Sequence, residues 1–241
     1  MGKTVAIHQP NFFPWLGYFA KIASCDVFIF LDDVQFPKKG GVWSNRVKLL
    51  IGGEARWVTA AIDRNYHGTR TVREMCFLPD IPWREKALKS IGLNYRRHPF
   101  YFETMELIVP LLLSPEANIA EYNIHTITAI VKSIGLDTDK IKRSSALSHE
   151  GSSNALLCSL TQLAGGDTYM CGGGADGYQD PLVFEAAGVT LARQDFNHPV
   201  YDQMGDGVFL RGLSIIDALM NLGLTGVRSL FSIEPASNAL S

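Results

Sequence analysis

The sequence predicts an α/β protein in which helices flank a parallel or mixed β-sheet, with an insertion of helices in the middle of the chain. Three observations predict this class. The chain opens with a strand, a helix and a second strand within about 30 residues, which is the βαβ unit of a parallel sheet. Its middle carries apolar residues at helical spacing, and its last third returns to alternating strands and helices.

The opening unit is predicted from apolar runs bounded by turn signals. Residues 4–7 and 27–31 are short apolar runs typical of buried strands, and residues 15–23 between them have apolar side chains at helical spacing. The loop from His8 to Pro14 is polar and contains two prolines. We expect the two strands to lie side by side and in parallel.

The middle of the chain first predicts a hairpin and then helices. Residues 43–51 and 55–62 flank Gly52 and Gly53, a pair typical of a tight hairpin turn. From Pro82 the apolar period changes from 2 to about 3.6, which predicts helices over residues 82–95, 99–113 and 119–134. No linker or repeat interrupts the chain, so we expect one α/β domain over residues 1–241, with residues 82–134 as its helical insertion.

The last third predicts further βα units. Strands are expected at residues 140–144, 168–171 and 189–195, and helices at 152–164, 181–187 and 214–222, the last ended by Gly223. Ser152 and Ser214 are suited to cap two of these helices, and Asp217 to stabilise the first turn of the last one.

Composition excludes several classes of protein. A net charge of -2 gives no field for a nucleic-acid backbone, so we expect no nucleic-acid partner. There is no apolar run long enough to span a membrane and no secretion signal, which indicates a cytoplasmic protein without a membrane partner. The four cysteines show neither CxxC pairing nor a regular framework, so we expect free thiols and no metal site.

Polar residues follow the first two strands, and the carboxyl ends of parallel strands meet at one edge of a sheet. His8, Gln9 and Asn11 follow the first strand. His8 is a candidate general base; the alternative is a histidine that only bonds the loop backbone. Asp32, favoured over the adjacent Asp33, is a candidate to orient His8 or to bind a substrate ammonium or Mg²⁺; its alternative is a turn or capping role.

Further candidates are spread along the chain. Residues suited to bind an anion or to stack on a ring are Gln35, Lys38, Trp43, Asn45 and Arg46. In the loop after residue 171, the glycines Gly172, Gly173 and Gly174 allow close approach of an anion to the backbone, and Cys171 is a weaker candidate for a thioester nucleophile. His198 and Tyr201 follow the strand at 189–195, where His198 is a candidate second acid or base or part of a rigid X-Pro turn.

Several of these motifs resemble the WbqC-like family. The matching segments are His8 to Ile22 (HQPNFFPWLGYFAKI), Asp26 to Phe36 (DVFIFLDDVQF), Trp43 to Arg46 (WSNR), the glycine-rich loop after Tyr169, His198 to Tyr201 (HPVY) and Leu213 to Asp217 (LSIID). The resemblance implies a role in bacterial surface-polysaccharide (O-antigen) biosynthesis. Because some of these polysaccharides contain acylated amino sugars, it further implies acyl or aminoacyl transfer to an amino sugar carried on a nucleotide. Catalysis would then rest on His8, assisted by Asp32 or His198.

A second resemblance concerns the scaffold. The opening strand, loop, helix and strand are similar to nucleotidylyl transferases, which have a Rossmann-like scaffold and an HxGH motif at the helix start. Here that position reads Pro14-Trp15-Leu16-Gly17, without either histidine. Two alternatives to acyl transfer therefore stay open: an ATP-using nucleotidyl-transferring enzyme that lacks HxGH, and a non-catalytic subunit that binds a nucleotide sugar. The expected donors are ATP or acyl-CoA, and the expected partner is a small molecule, a nucleotide sugar; the oligomeric state is not predicted.

Overall fold

The structure is a computed structural model that describes residues 2–40, 42–172, 179–205 and 207–231. Its strands are β1 (Thr4–His8), β2 (Val27–Phe30), β3 (Arg46–Ile51), β4 (Glu54–Thr59), β5 (Ile141–Arg143), β6 (Thr168–Cys171) and β7 (Thr190–Arg193). Its helices are α1 (Leu16–Ser24), α2 (Trp83–Tyr95), α3 (Tyr101–Leu112), α4 (Ile119–Ser133), α5 (Ser153–Leu163), α6 (Pro181–Ala186) and α7 (Ile215–Ser229). The predicted α/β class is confirmed.

Five of the strands form one sheet in the order β5-β2-β1-β6-β7, and every neighbouring pair is parallel. From β1 the chain builds outward through β2 to β5, then crosses back to β6 and builds the other way to β7. The sheet is therefore doubly wound, and its winding reverses between β1 and β6. Ligands of such sheets bind in the crevice outside the carboxyl ends of the strands at that point.

The two faces of the sheet carry separate apolar cores because successive strand residues point to opposite sides. Ala6, Phe28 and Phe30 pack with α1, the hairpin, the helices of the middle segment and α7. Val5, Ile7, Val27 and Ile29 pack on the other face, against α5 and α6. Helices thus cover both faces, which explains why β1 and β2 read as continuous apolar runs.

The hairpin is present but begins later than its sequence predicts. β3 and β4 pair antiparallel around Gly52 and Gly53. Residues 43–45 form a turn instead of a strand, because the Asn45 backbone N–H donates to the Val42 carbonyl (3.3 Å). The Asn45 side chain also donates to the Ala60 carbonyl (2.8 Å), beyond the end of β4.

The last helix differs from its prediction at its C-terminal end. Gly223 breaks the helical backbone with φ 67° and ψ 179°, as expected of a helix-ending glycine, but a further helical stretch continues to Ser229. A Cβ at position 223 would lie 2.6 Å from Phe100, so the kink also seats this aromatic ring. At the start of α7, the Ser214 hydroxyl accepts from the Ile216 N–H (3.2 Å), as predicted for a cap. Ser152 stands at the start of α5, but its side chain makes no capping bond.

Candidate functional site

A cavity of about 820 Å³ opens at the carboxyl ends of β1 and β6, where the sheet reverses its winding. Cavities of this size hold small ligands in other proteins. The described residues that line it are Ile7, His8, Gln9, Asn11, Trp15, Gly17, Tyr18, Lys21, Leu31, Trp43, Leu157, Tyr169, Gly172, Gln194, Phe196 and Gly212. The cavity therefore lies at the edge of the sheet where the site is predicted.

His8 ends β1 and lines this cavity. Its Nδ1 lies 3.0 Å from the Gln9 carbonyl oxygen, which only accepts, so Nδ1 carries the proton and Nε2 carries a lone pair. Burial, together with the nearby positive charge of Lys21, lowers the pKa of His8 to about 4. His8 is consequently a neutral imidazole at pH 7, able to accept a proton at Nε2.

Tyr18 fixes His8 from the helix side. Its ring packs edge-on against the imidazole at a centroid distance of 4.7 Å, and its hydroxyl donates to the same Gln9 carbonyl (2.9 Å). Burial raises the pKa of the Tyr18 phenol well above its usual value, so this hydroxyl keeps its proton. The Gln9 carbonyl therefore sets the tautomer of His8, and the Tyr18 ring helps to fix its orientation.

Lys21 is a buried cation in the cavity wall. It lies on α1 with only 4% of its surface exposed, and it lines the cavity together with Gly17, one helical turn earlier. Burial lowers its pKa to about 8, against an opposing effect of Cys171 and Cys25. The Lys21 Nζ is close to the backbone at the end of β6, since a Cβ at position 172 would lie 3.1 Å from it.

Distant residues fix the polar loop after β1. The Asn123 amide of α4 donates to the carbonyls of Pro10 (3.0 Å) and Ser44 (2.8 Å). The Phe12 N–H donates to the Trp43 carbonyl (2.8 Å), and the Ser214 hydroxyl donates to the Phe13 carbonyl (2.7 Å). These bonds hold Phe13 at φ 40°, a left-handed conformation that few side chains adopt.

Trp15 and Gly17 form another wall of the cavity. The Trp15 ring lies so close over Gly17 that a Cβ there would approach it to 2.4 Å. The ring also packs against Phe196 (5.3 Å between centroids). From the segment after β7, Gln194 donates its amide hydrogen to the Gly17 carbonyl (3.0 Å). Glycine at position 17 therefore allows the Trp15 ring to pack directly against α1.

The structure brings together only some of the residues predicted for the site. His8, Gln9, Asn11, Trp43 and Gly172 line the cavity. Trp43 is 45% exposed and its ring meets Trp57 edge-on at 5.0 Å. Gly173 and Gly174, also predicted to bind substrate, lie outside the described residues.

Asp32 does not line the cavity. It is 2% exposed and accepts hydrogen bonds from the hydroxyls of Ser144 (3.0 Å) and Ser145 (2.8 Å). It thereby joins the end of β2 to the end of β5. The adjacent Asp33 accepts from His149 (2.7 Å); burial alone would raise the Asp33 pKa, but the bonds from Ser144 and His149 hold it below its usual value.

His198 and Tyr201 lie behind the wall formed by Trp15. The His198 ring stacks on Trp15 at 6.1 Å and bonds the Pro199 carbonyl (3.0 Å), and burial lowers its pKa. Tyr201 donates to the fully buried Asp217 (2.6 Å), and burial, together with the charge of Asp217, raises the pKa of Tyr201. Tyr95 also donates to Asp217 (3.2 Å), so the predicted structural role of Asp217 extends beyond its own helix.

The remaining predicted side chains lie elsewhere. Gln35 is exposed and its backbone bridges Thr71. Lys38 donates to the Tyr66 carbonyl (2.9 Å), and the Arg46 guanidinium stacks over Trp57 at 4.0 Å. Neither these three nor Asn45, whose amide is bonded to Ala60, line the cavity.

Lys21 is not among the residues predicted for the site, although the sequence contains a signal for it. In α1, every residue from Leu16 to Ile22 is buried, and Lys21 is the one charged residue among them. A helix that is apolar on all sides is normally inside the protein, so a lysine within it marks a buried charge that needs a partner. Asn123 gave no comparable signal, because polar residues are common on helices.

The described residues contain no cluster of three or more metal-binding side chains and no helix long and apolar enough to cross a membrane. All four cysteines are free. Cys171 is buried at the end of β6, beside the lysine rather than among the lining residues.

Comparison with known proteins finds one family and one curated relative. Residues 9–229 match the WbqC-like protein family. The uncharacterized protein Rv1507c of Mycobacterium tuberculosis is 28% identical over 223 residues, which cover 92% of this chain and 94% of that protein. No solved structure matches the chain significantly.

Proposed function

Because the chain belongs to the WbqC-like protein family, we propose that it is a transferase of bacterial surface-polysaccharide (O-antigen) biosynthesis. It joins an acyl or aminoacyl group to the amine of an amino sugar carried on a nucleotide. Such substrates are made in the cytoplasm, and the proposal places the protein there. The family resemblance supports the class of sugar, and the residues of the cavity support the acyl-transfer chemistry.

The observation that carries the proposal is the neutral His8 at the cavity, with its Nε2 free to accept a proton. A neutral amine loses a proton from its nitrogen as it attacks a carbonyl, and an imidazole is the usual base for that step. A base of low pKa is sufficient here because the attacking nitrogen becomes much more acidic as the new C–N bond forms.

With an acyl-CoA donor, acyl transfer to the amine needs no further reagent. The amine nitrogen attacks the carbonyl carbon of the thioester, the C–N bond forms and the C–S bond breaks. The proton lost by nitrogen passes to His8 Nε2 and then to the departing thiolate. The Gln9 carbonyl, bonded to Nδ1–H, keeps the imidazole in the tautomer that this transfer requires.

One observation favours a second candidate, an ATP-using enzyme. The cavity lies where a doubly wound sheet reverses its winding, the place where many such folds bind nucleotides. Aminoacyl transfer would then need ATP to activate the amino acid. In this case residues 14–17 stand in place of the HxGH motif, and His8 is the one histidine among the described residues that line the cavity.

The test is an assay on wild-type protein and His8→Gln, with nucleotide-linked amino sugars and either acyl-CoA or ATP plus an amino acid. Mass spectrometry reports the acylated sugar, and released CoA or consumed ATP identifies the donor. We expect His8→Gln to lower kcat by roughly 10²–10⁴-fold because it removes the base. The control is His125→Gln, which alters an exposed histidine on α4.

The outcomes separate the candidates. Product formation only with ATP, with ATP consumed, would favour the second candidate. Binding of a nucleotide sugar without any product, unchanged by His8→Gln, would indicate a non-catalytic binding subunit and would reject the transferase.

A further inference from the structure

Lys21 is a buried cation that lacks a partner in the described part of the chain. It is 4% exposed, yet none of the hydrogen bonds or ion pairs among the described residues involves its Nζ. A buried charge without a counter-ion is costly, and proteins retain one mainly where a ligand completes it.

The surroundings of Lys21 do not supply the missing negative charge. It is the one Lys, Arg, Asp or Glu among the described residues that line the cavity. His8 is neutral at pH 7 and therefore adds no negative charge, while the positive charge of Lys21 helps to lower the pKa of His8. The pKa of Lys21 falls to about 8, mainly because of burial, so the amine is still mostly protonated at pH 7.

Gly172 leaves room for an anion beside the lysine. Gly172 follows β6, and a side chain there would crowd the Lys21 Nζ, since its Cβ would lie at 3.1 Å. Gly17 is in the first turn of α1, on the same face of the helix as Lys21, and also lines the cavity. The first turn of a helix has unpaired backbone N–H groups and a partial positive charge.

We propose that Lys21, with Gly172 and the first turn of α1 at Gly17, is the subsite for the phosphate groups of the nucleotide-linked substrate. The nucleotide-linked nature of that substrate rests on the proposed function. The geometry favours phosphate over carboxylate. A planar carboxylate is best matched by the fork of an arginine, and none of the described lining residues is an arginine. A phosphate suits a lysine point charge close to the first turn of a helix.

The test is isothermal titration calorimetry, which measures the binding of inorganic pyrophosphate and of a nucleoside diphosphate to wild-type protein, Lys21→Met and Gly172→Ala. We expect Lys21→Met to bind both at least about 30-fold more weakly, because a buried charge pair is lost. Gly172→Ala should also weaken binding, because the added methyl group would displace the Lys21 ammonium from its position. The matched control is Lys140→Met, since Lys140 donates to the carbonyls of Ala23 (3.3 Å) and Cys25 (2.9 Å), outside the cavity lining.

A second measurement shows that the variant folds. The melting temperature of ligand-free Lys21→Met should exceed that of wild type at pH 7, since an uncompensated buried charge is removed. Pyrophosphate should raise the melting temperature of wild type but not of the variant. Equal pyrophosphate binding by wild type and Lys21→Met would overturn the subsite. Binding of malonate at Lys21 without binding of pyrophosphate would overturn its assignment to phosphate.

Failure of this inference can be distinguished from failure of the proposed function. His8→Gln should retain pyrophosphate binding while losing transfer. Lys21-dependent binding without any transfer by wild type would uphold the subsite and reject the transferase. Transfer that is unchanged in Lys21→Met would uphold the transferase and reject the subsite.

Discussion

His8 and Lys21 are two basic side chains whose burial favours their uncharged forms. Both pKa values are lowered chiefly by burial, to about 4 for His8 and about 8 for Lys21. At pH 7 the result is one neutral base and one ammonium in the same cavity. A reaction in which a base acts beside a bound anion needs one neutral basic side chain and one positively charged side chain.

Acid stability should depend on His8. Its pKa is about 4 in the folded protein and 6.5 when exposed, so the unfolded chain binds more protons between these values. The contribution of His8 to folding is fully present above pH 6.5 and is lost as the pH falls to about 4. It amounts to at most about 3 kcal/mol. Urea unfolding of wild type and His8→Gln at pH 7 and pH 4.5 measures it.

We expect wild type to lose more stability than His8→Gln between these two pH values, because the variant lacks the titrating group. His125→Gln, which alters an exposed histidine, should behave like wild type. An equal loss in wild type and His8→Gln would show that the imidazole is not held neutral by the fold.

Sequence patterns predict a histidine in the site but not the complete set of residues. The position of His8 after an apolar strand is a local feature, and it places the imidazole correctly at the sheet edge. The same rule places Asp32 at the edge, but its two serine partners lie 112 and 113 residues further along the chain. No local pattern reveals whether a carboxylate faces the crevice or a neighbouring strand.

At the scale of elements, α1 contributes a wall of the cavity next to the sheet. The absence of a side chain at Gly17 allows the Trp15 ring to pack closely against this helix. The ring occupies the space that a Cβ at position 17 would need. We expect Gly17→Ala to cost about 1–3 kcal/mol, because the ring and its neighbour Phe196 must move. Urea unfolding measures the change in free energy.

The control for this prediction is Gly92→Ala, in the interior of α2. There a Cβ would meet only the Tyr101 hydroxyl, at an ordinary 3.5 Å, so the substitution should stabilise the helix by up to about 1 kcal/mol. If Gly17→Ala were as stable as wild type, Trp15 would not be held against the helix.

Periodicity predicts the helices and strands of this chain well, because burial on one or both faces leaves a clear apolar pattern. The exceptions have tertiary causes. Residues 43–45 are predicted to begin a strand but form a turn, because the Trp43 carbonyl bonds to Phe12 and Asn45 bonds to Ala60. The stretch after Gly223 resumes a helix because Val227 is buried in the core.

At the scale of the whole molecule, the helical middle and the sheet share one apolar core. Trp83, Ile91 and Ile127 belong to the same cluster as Phe28 and Phe30 of the sheet. We therefore expect one cooperative thermal transition, in which the calorimetric and van't Hoff enthalpies agree. Two separate transitions in calorimetry would show that residues 82–134 unfold independently.

The order of the strands could not be predicted from sequence alone. Strand spacing and apolar runs predict parallel βα units, but the placement of β6 beside β1 is a contact between residues about 165 positions apart, as in Thr4 and Thr168. That placement creates the crevice, so the location of the cavity depends on the least local feature of the fold.

The bond from Ser214 to the Phe13 carbonyl and the bond from Gln194 to the Gly17 carbonyl have a consequence for synthesis of the chain. A ribosome releases residues 8–17 long before it releases these two partners. The early segment therefore cannot form these bonds until the segments that contain Gln194 and Ser214 have emerged. This part of the site is thus completed by residues that are synthesised much later.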